Sequence, residues 1–169
     1  MIQDDRLNIY TGEGLIFMDN LVKNTYDQDF YAWTMKSADL IRHGRWEEID
    51  QENMIEELEY MGKREKRELI SRLAVLMAHL LKWQFEPERR SNSWKYTIET
   101  QREDILDLLE DSPSLRYEID KKLAKAYLKA VRIAARETGI RKSVFPEAPP
   151  FSFEKTVDDT FFPEQSKFR

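Results

Sequence analysis

The chain contains no cysteine. That excludes a disulfide scaffold, a thiolate metal site, a cysteine nucleophile and a redox-sensing thiol. Glycine is scarce, five in 169 residues, which argues against a sheet joined by many tight turns. No apolar run approaches the roughly 18–20 residues of a membrane span. Met1–Phe17 lacks a basic stretch followed by an apolar one, so it does not read as a signal peptide. No internal repeat or low-complexity segment is visible. The compartment these absences leave is the cytoplasm.

What is present suits helices. The length fits one ordinary domain, and 41% hydrophobic residues suffice for a core. Charged residues make up 35%, which with so little glycine favours long helices washed by solvent. A net charge of −5 weighs against a dedicated nucleic-acid binder.

Residues 1–17 carry Gly12 and Gly14 and no periodicity, so they read as a poorly ordered arm, with Met18 an alternative start. Residues 18–163 read as one helical domain and 164–169 as a tail. The first helix is expected over Thr25–Arg42, opened by a Thr25/Gln28 capping box and closed by Gly44. Tyr26, Phe30, Trp33, Ser37, Leu40 and Ile41 form its apolar face. Asp50 then caps a long stretch reaching Phe85. Met54, Ile55, Leu58 and Met61 give it a short apolar stripe. Gly62–Glu68 has no apolar side chain and reads as a solvent-exposed length of a continuous or gently bent helix. Leu69, Ile70, Leu73, Leu76, Met77, Leu80 and Leu81 resume the periodicity, and Pro87 stops it. A third helix starts at Ser93, with Trp94, Thr97, Ile98, Gln101, Ile105, Leu108 and Leu109 inward. Ser112-Pro113 reads as N-cap and first residue of a fourth, which runs to Thr138 with Gly139 as C-cap. A short helical turn follows Ser152. The fold class is therefore all-α: a bundle of four main helices with one long stretch over about 50–85.

Few residues suggest chemistry. His79 lies with Arg72, Glu68 and Glu65 on one border of the Leu69–Leu81 stripe. It is read first as a hydrogen-bonded core-edge histidine, with Glu68 and Arg72 paired. The sharper reading makes it a proton donor or acceptor. Arg72 and His79 have the R-x6-H spacing, which resembles helical nucleases of the prokaryotic-and-eukaryotic nucleotide-binding (HEPN) type, although Leu73 stands where that family has a polar residue. Such an enzyme would use His79 and Arg72, with Glu57 as a third candidate. A metal-assisted enzyme would add the carboxylates Glu56, Glu57 and Glu59. Glu56 and His79, however, are about 35 Å apart along one straight helix and share an ion only if the chain folds back at Gly62. No metal site and no cofactor are therefore assigned. Gln101 and Thr97 read as a polar layer seeking Glu57 or Arg72. Lys121, Lys122, Lys125, Lys129, Arg132 and Arg136 give the fourth helix a basic edge without aromatic platforms. Arg89 and Arg90 lie in a connection where they would hold an anion or tie the loop.

Several stretches, taken in order, resemble domain of unknown function family 29, common in photosynthetic bacteria. They are Tyr26–Trp33 (YDQDFYAW), Glu52–Gly62 (ENMIEELEYMG), His79–Gln84 (HLLKWQ), Ser93–Arg102 (SWKYTIETQR), Ser112–Leu115 (SPSL) and the Phe145-Pro146 region, spanning about Asn20–Pro163. The tail departs from it: Ala148, Pro149 and Pro150 stand where a cysteine-containing C-P is expected. The resemblance implies an all-helical fold and a bacterial cytoplasmic setting. It implies no activity. It places Glu56, Glu57, His79, Lys82, Trp83, Trp94, Gln101 and Arg102 inside its recurrent segments, which makes them the candidate site positions.

The reading that follows is a helical interaction or structural domain, not an enzyme, whose partner is a protein. A second copy of the chain, as a homodimer, is one candidate. The alternatives are the phosphodiesterase or metal-assisted enzyme at His79, and nucleic-acid or anion binding through Lys125, Lys129 and Arg132. No membrane contact is expected.

Overall fold

A computed structural model of the chain describes residues 25–166. The expected N-terminal arm, the Met18 start and the last three residues lie outside the described residues. The fold is all-α. The helices are α1 (Phe30–Arg42), α2 (Gln51–Phe85), α3 (Asn92–Asp111), α4 (Ile119–Thr138) and the short α5 (Phe153–Val157). Among the described residues no helix is long and apolar enough to cross a membrane. The chain divides between Gly62 and Lys63 into two compact units.

The described part of the N-terminal unit, residues 25–62, is a helical hairpin. Residues 25–28 are helical, but the helix does not run on unbroken from the expected capping box. Asp29 leaves helical geometry and becomes the N-cap of α1, its carboxylate accepting from Ala32 N–H at 2.9 Å. The end of α1 follows the expectation. Gly44 sits at φ +70°, and the Gly44 and Arg45 amides donate back to the Ile41 and Leu40 carbonyls. This reversed pair of bonds is a Schellman motif, which needs a left-handed residue and so favours glycine. A 3₁₀ turn at Trp46–Glu48 reverses the chain. Asp50 then opens α2, accepting from the Asn53 amide and side chain. Tyr26 donates to Glu57 across the hairpin at 2.6 Å and stacks edge-on against Phe30 and Trp33. Among the described residues the hairpin's buried core is thin: Trp33, Ser37, Leu40 and Asp50.

Helix α2 continues through Gly62, as the charged Gly62–Glu68 length predicts. A Cβ at Gly62 would meet nothing within 4 Å. Glycine there only loosens the helix, so Gly62→Ala is expected to raise stability by about 0.5–1 kcal/mol in urea unfolding. No gain would show that this turn is not helical in solution.

The second unit holds the main core. Leu69, Leu73, Leu76, Met77, Leu80 and Leu81 of α2 are sealed by Ile98, Ile105 and Leu109 of α3 and by Leu123, Ala126, Tyr127, Ala130 and Ala134 of α4. The alanines let α4 approach closely. Phe145 and Phe153 close the end of this core, and the Tyr127 hydroxyl donates to the Pro146 carbonyl at 2.7 Å. Burial pushes that phenol up to about 12. Two expected boundaries move. Ser91, not a residue at the start of Ser93, caps α3 by accepting from the Trp94 amide. Pro113–Arg116 is a separate 3₁₀ turn, not the first turn of α4, because Glu118 takes a left-handed conformation at φ 51° and breaks the helix before Ile119. Gly139 ends α4 at φ +79° as expected.

Candidate functional site

The His79 border resolves into separate pairings. Arg72 donates to Glu68 at 2.9–3.0 Å and to Asp104 of α3, and Gln101 also reaches Asp104 at 3.3 Å. The expected Gln101–Thr97 layer forms only in part: Gln101 meets Arg72 through the shared Asp104, and Thr97 donates to the Ser93 carbonyl of its own helix at 3.0 Å. His79 is half-buried. A carbonyl only accepts, so its Nδ1 donates to the Val75 carbonyl at 2.9 Å. Burial pushes the imidazole below its ordinary value, opposed by that hydrogen bond and by Glu137 and reinforced by Lys82. No hydrogen bond joins Arg72 to His79 among the described residues. Glu57 belongs to the hairpin, where its bond pushes the Tyr26 phenol up to about 12. An R-x6-H nuclease needs an arginine free to steady phosphate, and here two carboxylates occupy it. Helix α2 has no break at Gly62 of the kind the metal reading requires, and no group of three or more His, Asp or Glu able to hold a metal is found among the described residues.

The positions drawn from recurrent segments sit mostly at structural joints. Lys82 is 4% exposed, ion-paired to Glu137 at 2.7 Å and stacked under Trp94 at 4.5 Å. Lys82 favours the ionised form of the Glu137 carboxyl and holds it below the ordinary carboxylate range. Arg90 donates to the Trp83 carbonyl and lies over its ring, while Arg89 makes a long ion pair with Glu86. Arg102, a candidate only through the recurrent segments, is 2% exposed and is the buried polar residue of α3. Its guanidinium donates to the carbonyls of Thr156 (3.1 Å), Asp159 (3.2 Å) and Phe161 (2.5 Å) and faces the Phe162 ring. It clamps the C-terminal segment onto the bundle.

The basic edge of α4 is real but narrower than expected. Lys122 turns inward, 8% exposed, and donates to the Tyr117 carbonyl. Lys121 pairs with Glu118. Lys125, Lys129, Arg132 and Arg136 are exposed and form no ion pair among the described residues.

The most prominent surface was not among the expected sites. Phe30, Tyr31, Met35, Ile41, Trp46, Ile55, Leu58, Tyr60 and Met61 are all exposed. These are nine of fourteen such residues, on 38 of the 142 described positions. The expected Met54–Met61 stripe is corrected accordingly: only Met54 is half-buried, because among the described residues no further helix of this unit covers Ile55, Leu58 and Met61. The Trp33 indole N–H is buried without an acceptor. Ten acidic and three basic residues over 25–62 give this segment a charge of −7. Alternation of glutamate with apolar residues over Glu52–Met61 was the signal for it.

No curated protein and no solved structure matches the chain. A family model does, that of Domain of unknown function DUF29, over residues 25–162. With most of its length covered by that match, the chain belongs to the DUF29 family.

Proposed function

We propose that the chain is a helical interaction domain whose N-terminal hairpin docks a basic, amphipathic helix of a protein partner. The carrying observation is the concentration of exposed large apolar side chains on a hairpin of charge −7. Monomeric surfaces rarely gather apolar area in this way unless it serves binding. Among the described residues the hairpin buries Trp33, Ser37, Leu40 and Asp50, which is little core, and it gains from a docked helix. Charge chooses the partner: a hairpin of charge −7 favours a lysine- or arginine-rich helix and repels an acidic one. A cytoplasmic, bacterial setting fits the cysteine-free composition.

A synthetic 18-residue peptide of leucine and lysine, patterned as an amphipathic helix, is the probe. By fluorescence anisotropy the full chain is expected to bind it at least tenfold more tightly than the leucine–glutamate counterpart. Ile55→Ser with Leu58→Ser leaves every charge in place and is expected to weaken binding about tenfold, the worth of roughly one buried aliphatic side chain. Unchanged affinity in that variant would mean that the apolar face is not the contact, and the reading would be abandoned.

A further inference from the structure

We infer that the basic helix taken by the hairpin is α4 of a second copy of the same chain. The inference rests on the hairpin reading above and names its partner. Two surfaces, one in each unit, carry matching patterns of opposite sign. On α2, Glu52, Glu56 and Glu59 follow the spacing i, i+4, i+7, with Ile55 at i+3, and all four are exposed. On α4, Lys125, Lys129 and Arg132 follow the same spacing, with Leu128 at i+3, and all four are exposed. Each set therefore occupies one helix face, with its apolar residue at the same position on the edge of that face. Two such helices laid side by side bring Ile55 against Leu128 and the carboxylates against the cations.

The cost of the α4 pattern supports this. Like charges at i, i+4 work against a helix. Here Lys125 and Lys129, and Arg132 and Arg136, are such pairs, without an ion pair among the described residues to offset them. An acidic surface supplies what they lack. The units differ in overall charge in the same sense. Residues 1–62 hold 14 acidic and five basic side chains, and residues 63–169 hold 18 and 22, giving −9 and +4. Hairpin against hairpin repels, and α4 against α4 repels. Hairpin against α4 attracts. A polyanion such as duplex DNA would meet the cations too, but it would have no use for Leu128 and would be repelled by the hairpin.

Sedimentation velocity on the full chain tests the inference. Concentration-dependent self-association is expected at about 50 mM NaCl, at least tenfold weaker at about 500 mM, as screening shortens to a few ångströms. Glu52→Lys, Glu56→Lys and Glu59→Lys together are expected to leave a helical monomer by circular dichroism. So are Lys125→Glu, Lys129→Glu and Arg132→Glu together. An equimolar mixture of the two triple variants is expected to associate again, since each then meets the complementary charge on the other. A wild-type chain that stays monomeric at low salt overturns the inference, as does a mixture that fails to associate. A monomer that still binds the leucine–lysine peptide through Ile55 and Leu58 overturns it and leaves the hairpin reading standing. Binding of a 20-base-pair duplex, abolished by the α4 variant in a chain that does not self-associate, also overturns it and assigns the cations to phosphate.

Discussion

Arg102→Ala is expected to destabilise the bundle by about 3 kcal/mol or more. The guanidinium is 2% exposed and serves three carbonyls of the segment Thr156–Phe161. Burial lowers its pKa, with Asp158 and Asp159 opposing the shift, yet an arginine stays charged at neutral pH. Hydrogen bonds to a charged donor are each worth about 1.5–3 kcal/mol, and part of that offsets the desolvation of the ion. Truncation removes the donors and leaves carbonyls facing a gap. Lysine places one ammonium where a planar fork spans three acceptors, so Arg102→Lys is expected to recover only part of the loss. Urea unfolding gives the magnitude. Hydrogen exchange gives the location: the amides of Asp158 and Phe161, bonded to Glu154 and Asp158, should lose protection first. A loss below about 1 kcal/mol with unchanged protection would refute the clamp.

Removing Glu137 is expected to cost a similar amount, about 3 kcal/mol, through the ion it leaves behind. Lys82 is almost wholly buried, and Glu137 is the carboxylate it pairs with. The Trp94 face remains and softens the loss, since a desolvated cation over indole retains about 2 kcal/mol of attraction. The double change Lys82→Met with Glu137→Leu removes both charges and is expected to lie within about 1.5 kcal/mol of wild type. Strong non-additivity in this cycle is the signature; additive losses would refute the pairing.

The same corner of the fold sets an acid limit. The Glu137 carboxyl is held low by Lys82, so its contribution is present at neutral pH and lost as pH falls through its depressed value. His79 is also lowered, chiefly by burial. The unfolded chain therefore protonates it first, and stability falls as pH drops from the ordinary histidine value of 6.5 through the lower folded one. Both groups act in one direction, in separate windows. Chemical unfolding between about pH 7.5 and 5 should show the upper loss in wild type and not in His79→Gln. An identical slope in both would remove His79 from the account.

Much of the fold was legible because helix periodicity and caps are local. The Leu69–Leu81 stripe, the Gly44 and Gly139 ends, the Asp50 and Ser152 caps and the continuity through Gly62 all follow from neighbouring residues. Where burial depended on distant partners, the reading slipped. Gln101 was placed inward and Arg102 was not. One position is 100° around the helix, and Ile98, Arg102, Ile105 and Leu109 are the true buried arc at i, i+4, i+7 and i+11. That spacing was there to find, but only the C-terminal carbonyls make an arginine tolerable on it. Glu118 gave no sign of its left-handed backbone, because its residue type does not favour one. The hairpin surface was misjudged for the opposite reason. Its apolar spacing suits a core, yet among the described residues Ile55, Leu58 and Met61 stay exposed.

The Arg102 clamp also fixes an order of events during synthesis. The arginine and its acceptors lie 54 to 59 positions apart. At about 5–20 residues per second, several seconds of translation separate them. Helix α2 is already made when Arg102 is added; α3 is finished and α4 is made within that interval, so the three surfaces can pack while the guanidinium remains hydrated. The last step, in which the ion leaves water, waits for Thr156–Phe161 to emerge. A nascent chain interrupted before Thr156 holds a nearly complete core around an unanswered charge.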